Sequence, residues 1–439
     1  MGDARRGSRF VTLGFGAGSL GSSLSYGAVP LLFLFYLTEF ARVPPATAGV
    51  LLAIPKLADL FLDPWIGRRS DTLARSLGSR SGILTLGAIA QAGLLLLLFV
   101  PMLGLPLPLR VGLLGLLLVA LSLMSTVYTV AHTAIASDIA DGIEGRSTLM
   151  SSRAIGQTIA GLLVSVLAPQ LVAVFGAFQG GYLGMAAVLA AVALVAQALC
   201  WTAVRRVPLS MGVESEAAPR LMYAVRKTLR NKAFYCIALI LILMGASSTA
   251  LLSALPYANK HLLHAGAENL SVLLSPLFVS VLLGVAVAPW LARHVRPGPL
   301  MAGAMLLALG GIAWIAFGAR VNASIVVGCS LFGLALGVLT VMVSTLAIEA
   351  STKSSTRGES LGLYLGILFS AEKLGQSLGG IVVGFGLDWV GPLEPGVHPL
   401  SLDRLEILWV GAPALGLVAA LFVLMPLTSR LRALPVTGH

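Results

Sequence analysis

Long apolar runs without a single charged side chain constrain this sequence more than any other feature. Residues 82–103, 111–131 and 181–204 contain no Asp, Glu, Lys or Arg. A transmembrane α-helix needs about 20 predominantly apolar residues, whereas strands of a membrane β-barrel are segments of about 10 residues with alternating polarity. Charged residues make up 11% of the chain, against roughly 25% in soluble domains. The sequence therefore predicts an all-α membrane protein.

Twelve apolar segments are long enough to cross a bilayer. They lie at residues 10–37, 45–67, 82–101, 111–137, 153–175, 181–204, 233–257, 271–292, 299–318, 323–348, 360–386 and 405–427. Because lipid offers no hydrogen-bond partners to an open backbone, each segment is predicted to be an α-helix. We therefore expect twelve transmembrane helices.

Basic residues are concentrated in the loops on one side of these segments. Of the 29 Lys and Arg residues, the opposite loops contain only Arg42, Arg110, Lys260, Arg320 and Arg404. Since basic loops stay in the cytoplasm, we expect an inner or plasma membrane protein with both termini cytoplasmic. The net charge of +11 is then attracted to anionic lipid, and its spread over short loops argues against a nucleic-acid partner.

A long polar stretch divides the twelve segments into two groups of six. Pro64-Trp65 ends the second segment and Pro289-Trp290 ends the eighth, each followed by basic residues, so the two groups echo each other. Two such halves related by a parallel repeat are typical of transporters with a binding site near the midplane. The predicted parts are an N-terminal six-helix half, a cytoplasmic linker and a C-terminal six-helix half, at residues 1–204, 205–232 and 233–439.

Three charged residues, Lys56, Asp59 and Asp63, lie within the second segment. Their spacings of three, four and seven residues place them on one face of a helix. Two carboxylates one turn apart repel each other unless a cation lies between them. This pattern favours an Na⁺ or H⁺ coupling site, and the alternative is a structural ion pair of Lys56 with one of the acids.

The element from Asp59 to Gly67, of the form D-x-x-x-D-P-x-x-G, resembles the second span of the glycoside–pentoside–hexuronide cation symporters. This melibiose permease-like family belongs to the major facilitator superfamily. The stretch from Asp138 to Arg153 and the intramembrane Lys373 are similar to further motifs of the family. The resemblance implies the major facilitator fold and cation-coupled sugar transport by alternating access.

The resemblance also implies roles for individual residues. Asp59 and Asp63 match the cation-binding carboxylates, and Lys373 matches the lysine that faces the cation site. Lys56 and Lys373 are the expected charge-compensating residues. The acids that bind sugar in the family are missing from this sequence, which puts a sugar substrate in doubt.

The coupling ion is expected to be H⁺, with the Na⁺ used in the family as the alternative. Na⁺ needs several oxygen ligands at once, and Leu62 stands where the family has an Asn between the two carboxylates. Two carboxylates alone can hold a proton, because burial and mutual repulsion both favour the protonated acid. No cofactor or metal beyond the coupling ion is predicted.

Two further groups of polar residues are candidates for the transport machinery. Charge pairs of a cytoplasmic gate are predicted at Asp71, Arg75, Arg80, Asp138, Arg146 and Arg153. Polar residues within spans that are candidates for the substrate cavity are Tyr26, Gln157 and Gln376. The alternatives are ordinary solvated loop charges and helix-to-helix hydrogen bonds. His132 is interpreted as a buried packing residue.

No enzyme signature is present. The three Cys residues have no metal-ligand spacing, and there is no phosphate-binding loop, so neither an enzyme nor an ATP-driven pump is predicted. The leading hypothesis is a monomeric symporter of a small solute, sugar or glycoside-like by resemblance. Movement of a lysophospholipid or other amphipathic lipid is the second hypothesis, and a non-transporting membrane scaffold is the third.

Overall fold

The computed structural model describes residues 2–77, 79–139, 143–176, 179–205, 207, 232–318, 321–354, 361–393 and 399–431. Within these residues the chain forms twelve long α-helices. They are α1 Gly2–Ala28, α2 Pro45–Leu77, α3 Ser81–Leu98, α4 Leu107–Ile139, α5 Ile143–Val174, α6 Gln179–Val204, α7 Lys232–His261, α8 Asn269–His294, α9 Pro297–Phe317, α10 Asn322–Ser354, α11 Leu361–Val390 and α12 Pro399–Leu431. Each predicted segment lies largely on one helix, which confirms the predicted helical architecture.

Several helices continue beyond the apolar segments that predicted them. Helix α2 was predicted to end at residue 67 and ends at Leu77, and α5 begins at Ile143 rather than at residue 153. Hydropathy marks the part of a helix that lies in lipid, whereas backbone hydrogen bonding continues through polar residues at the membrane surface. The predicted limits are therefore those of the apolar part of each helix.

Among the described residues, nine helices are long and apolar enough to cross a membrane, namely α3 to α10 and α12. The remaining three are α1, α2 and α11. Helices α2 and α11 carry charged residues within their apolar segments, namely Lys56, Asp59 and Asp63 on α2 and Glu372 and Lys373 on α11.

The chain divides into two compact units, Met1–Val213 and Glu214–His439. In the first unit the main helix pairs are α1–α6, α1–α5, α2–α4, α3–α4 and α3–α6. The second unit has the corresponding pairs α7–α12, α7–α11, α8–α10, α9–α10 and α9–α12. This is the arrangement expected of two copies of one six-helix repeat. The linker predicted at 205–232 lies outside the described residues, apart from 205, 207 and 232.

Helix α1 changes its geometry at Pro30. Two π-helical segments, Val29–Phe33 and Tyr36–Phe40, come after the end of α1. Proline has no N–H group with which to continue the α-helical pattern of hydrogen bonds. Aromatic side chains of these π-helical segments form a cluster with residues of α6 and of the end of α3. Its members are Phe33, Tyr36, Phe40, Phe99 and Tyr182.

Helices α1 and α5 approach each other closely at Gly16 and Gly156. A Cβ atom on Gly156 would meet the carbonyl oxygen of Gly16, so a larger residue would force the helices apart. Across the same interface, the Ser152 hydroxyl donates to the carbonyl oxygen of Thr12 at 2.6 Å. Small residues permit such packing of membrane helices, and here it holds in place the two helices that line the site described next.

Candidate functional site

The buried carboxylate of Asp59 lies between α2 and α4. Asp59 is 6% exposed, and it accepts the hydrogen of the Ser122 hydroxyl, whose Oγ lies 2.9 and 3.0 Å from the two carboxylate oxygens. Tyr26 of α1 lies near Ser122 and near the charge of Asp59. Side chains of three helices therefore meet at one of the predicted cation-binding residues.

Ser122 belongs to this site, although nothing in the sequence singles it out. It is 4% exposed in α4. Ser and Thr residues in membrane helices commonly bond to their own backbone, as Ser247 and Ser248 do in α7. Only the packing of α4 against α2, which brings Ser122 to Asp59, distinguishes it from them.

A cavity of about 300 Å³ lies beside this group, between α1, α4 and α5. Ten of its eleven lining residues carry a polar or charged side chain, and the eleventh is a glycine. The lining residues are Ser19, Ser22, Ser23, Tyr26, Gly27, Ser125, Tyr128, Thr129, His132, Arg153 and Gln157. Two of the three predicted cavity residues, Tyr26 and Gln157, are among them. Tyr26 therefore connects the polar cavity with the Asp59 carboxylate.

Arg153 supplies a positive charge to this cavity. Its place in the sequence predicts a residue of the cytoplasmic gate, whereas the structure places it in the cavity wall on α5. In the described part of the chain, no carboxylate forms an ion pair with it. A charged residue within a membrane helix requires a cavity or a partner. The arrangement therefore suits a ligand that carries a negative charge together with hydroxyl groups.

His132 is a packing residue whose ring also borders the cavity. The ring stacks on Phe15 with centroids 4.0 Å apart, and Nε2 lies 2.9 Å from the Phe15 carbonyl oxygen. Because a carbonyl oxygen only accepts hydrogen bonds, Nε2 carries the hydrogen. With 1% of its surface exposed, His132 has the environment expected of a packed histidine.

Two of the predicted gate residues form an ion pair. Arg80, immediately before α3, donates from Nε to Oδ2 of Asp138, near the end of α4, at 3.0 Å. The two side chains are 13% and 5% exposed. The pair therefore connects α3 with α4 inside the first unit, and its role in a gate stays a prediction.

Other predicted site residues are distributed over both units. Lys56 lies on α2 and is half-buried. Gln376 and Lys373 lie on α11 in the second unit, where the Gln376 amide donates to Oε1 of Glu372 at 3.4 Å. The side chains of Asp63, Asp71, Arg75 and Arg146 lie outside the described part of the structure.

Replacing Ser122 with Ala is expected to change the pH dependence of transport. A hydrogen bond to a charged group contributes about 1.5–3 kcal/mol, so without it the charged form of Asp59 is less favoured and the proton is held more tightly. The pH midpoint of uptake should rise by about one unit or more. The control is Ser330→Ala, since the Ser330 hydroxyl bonds to its own helix. An equal shift in both variants would contradict the role of Ser122.

Neutralising one member of the Arg80–Asp138 pair is expected to destabilise the protein more than neutralising both. A single change leaves a mostly buried charge without this partner, and we expect Arg80→Gln or Asp138→Asn to cost about 2 kcal/mol. The double variant should lose less stability than either single variant. Thermal unfolding in detergent measures this comparison, and strict additivity would show that the two residues do not interact.

A known protein family and one relative resemble the chain over most of its length, and a second relative resembles a short part of it. The family described as MFS/sugar transport protein matches residues 14–428. The isoprimeverose transporter of Lactiplantibacillus pentosus is 21% identical over 411 residues, which is 90% of this chain and 84% of that protein. An uncharacterized symporter of Synechocystis is 41% identical over 59 residues, and this match spans 13% of the chain and 11% of that protein.

Solved structures of transporters share the fold. A mutant of the nucleoside transporter NupG has a TM-score of 0.74 at 14% sequence identity, over 95% of this chain and 99% of that one. A bacterial homologue of the human lysosomal transporter Spinster has a TM-score of 0.67 at 14% identity, over 97% and 96% of the two chains. At this level of identity the likeness shows the fold alone.

Proposed function

Because the chain belongs to the family of MFS/sugar transport proteins, we propose that it is a cation-coupled symporter of a small, hydroxyl-rich solute. Membership in this family makes it a multi-pass membrane transporter and not an enzyme, as predicted from the sequence. Cation coupling, the solute and the cytoplasmic location of the termini are the further parts of the proposal.

The position of Tyr26 carries the proposal for coupling. Its side chain lines the polar cavity and lies against the Ser122–Asp59 pair. A change in the charge of Asp59 therefore alters the surroundings of a residue that a solute in the cavity would touch. Symport requires such a connection, because the ion and the solute must each favour the state that binds the other.

The cavity lining supports a polar solute. Hydroxyl groups of Ser, Thr and Tyr, with the Gln157 amide, can both donate and accept hydrogen bonds, as the hydroxyl groups of a sugar require. The isoprimeverose transporter among the relatives supports the same class of substrate. Arg153 further favours a solute with a carboxylate or phosphate group. A lysophospholipid chain packs best against aliphatic side chains, and none of the residues that line this cavity of the first unit has one.

We infer that the coupling ion is H⁺. A single carboxylate can carry a proton, whereas Na⁺ requires several oxygen ligands at once. Leu62, between Asp59 and Asp63, has no side-chain oxygen to contribute. Ser122 offers one hydroxyl oxygen near Asp59, fewer than the several that Na⁺ requires. The environment of Asp59 thus favours exchange of a proton over coordination of a metal cation.

Uptake by the purified chain in liposomes tests this function. The probes are isoprimeverose, D-glucose, D-glucuronate and a lysophospholipid. Each is offered with an inward proton gradient in sodium-free choline buffer, or with an inward Na⁺ gradient at equal pH on both sides. We expect the pH gradient to drive accumulation of a hydroxyl-rich probe without Na⁺. Accumulation only with Na⁺ would identify Na⁺ as the coupling ion instead of H⁺. Movement of the lysophospholipid alone would support the lipid transporter. Failure to transport any member of a broad panel of solutes would support a membrane scaffold.

A further inference from the structure

The second unit contains an apolar groove of about 320 Å³ between α8, α9 and α10. No residue that lines it has a polar side chain. Val287, Leu291 and Val295 form the wall on the side of α8, and Pro299 and Leu307 lie on the side of α9. Such a surface, on helices that cross a membrane, matches a hydrocarbon chain and not the hydroxyl-rich solute proposed for the first unit.

Basic residues lie at the end of the groove where α8 is followed by α9. Arg293 and Arg296 are exposed there, next in sequence to the lining residues Val295 and Pro299. Residues 269–348 contain no Asp or Glu. The sequence of α8, α9 and most of α10 therefore supplies no acid to neutralise these two arginines, so their counterion must come from elsewhere.

An aromatic pair marks the same end of α8 as a membrane–water boundary. Trp290 is 59% exposed, and its ring lies 4.7 Å from the ring of His294. Exposed Trp residues are enriched where a membrane helix leaves the hydrocarbon. Along α9 the groove extends over eight residues from Pro299 to Leu307, or about 12 Å at the rise of an α-helix, which is the length of a substantial part of an acyl chain.

We propose that this groove binds an anionic phospholipid. One acyl chain lies along the aliphatic wall, and the phosphate group lies beside Arg293 and Arg296. Helix α9 begins at Pro297, so the positive end of its dipole also faces this position. A zwitterionic lipid would fill the groove equally well but would leave the two arginines without a net counterion. Positive-inside orientation assigns the site to the cytoplasmic leaflet.

Native mass spectrometry of the full chain tests the lipid site, with palmitoyl-oleoyl phosphatidylglycerol and the corresponding phosphatidylcholine as probes. We expect phosphatidylglycerol to be retained in preference to phosphatidylcholine. The double variant Arg293→Gln/Arg296→Gln should lose this preference by about tenfold or more, because each basic residue near anionic lipid contributes a factor of about five. Arg404→Gln removes an exposed arginine outside this region and should leave the preference unchanged.

A second variant tests the groove without changing any charge. A Cβ atom at Gly303, which lines the groove, would meet nothing within 4 Å, so Gly303→Leu should fold and fill the space. We expect it to lose retention of phosphatidylglycerol, while Gly310→Leu, at an equally open position of α9 that does not line the groove, should keep it. Unchanged preference in the arginine variant, or unchanged retention in Gly303→Leu, would overturn the site.

Discussion

Asp59→Asn should abolish accumulation of the solute while leaving the folded protein in the membrane. Asparagine has nearly the size of aspartate and can still accept the Ser122 hydrogen bond, but it cannot bind and release a proton. A pH gradient of one unit supplies about 1.4 kcal/mol per proton, which corresponds to tenfold accumulation for each proton coupled. In the variant, the internal concentration of solute should rise no further than the external concentration.

Two measurements separate this loss of coupling from a loss of structure. Exchange of labelled for unlabelled solute needs no gradient, and it should persist in Asp59→Asn. The matched control is Asp388→Asn, because Asp388 is an exposed acid of α11, and its accumulation should equal that of the unmodified protein. Full accumulation by Asp59→Asn would show that this carboxylate does not couple transport to the ion. Loss of both exchange and thermal stability would assign Asp59 a structural role.

Arg153→Gln should impair the transport of anionic solutes far more than that of neutral ones. A hydrogen bond between charged groups contributes about 1.5–3 kcal/mol, so the apparent affinity for a carboxylate such as D-glucuronate should fall by about 10- to 100-fold. The affinity for D-glucose should change much less, because glutamine retains hydrogen-bonding groups. Competition of each probe with a labelled solute measures this difference.

Arg153→Lys distinguishes charge from geometry at the same position. Lysine keeps the positive charge but not the planar guanidinium, which can donate two parallel hydrogen bonds to a carboxylate. We expect an intermediate affinity for the anionic probe. Equal losses for the anionic and neutral probes in Arg153→Gln would show that Arg153 does not select the charge of the solute.

The helices are predictable because their apolar runs stand out in the sequence, and the central carboxylate is predictable because a charge is conspicuous within such a run. Asp59 is noticeable among apolar neighbours, since a charge within a span is rare. Ser122 has no such contrast, because hydroxyl residues are common in membrane helices and only the packing of α2 on α4 shows which one meets an acid. Sequence spacing on one helix cannot reveal a partner on another helix.

Arg153 shows why the candidate site was only partly predictable. The predicted apolar segment begins at residue 153, which places Arg153 with Arg146 at the membrane surface. In the structure α5 begins at Ile143, so Arg153 lies nearly three turns inside the helix at about 3.6 residues per turn. That shift moves its side chain from an expected surface loop into the wall of a polar cavity. A difference of ten residues in the start of a helix thus changes the chemistry assigned to a residue.

Proton movement evoked by the solute tests the central claim most directly. Liposomes containing the purified chain, without any ion gradient and in sodium-free choline buffer, receive the best-transported hydroxyl-rich probe while a dye reports the external pH. A proton symporter that uses Asp59 should raise the external pH as solute and protons enter together, and Asp59→Asn should give no change. Entry of the probe with no pH change, or only after Na⁺ is added, would contradict proton coupling at Asp59.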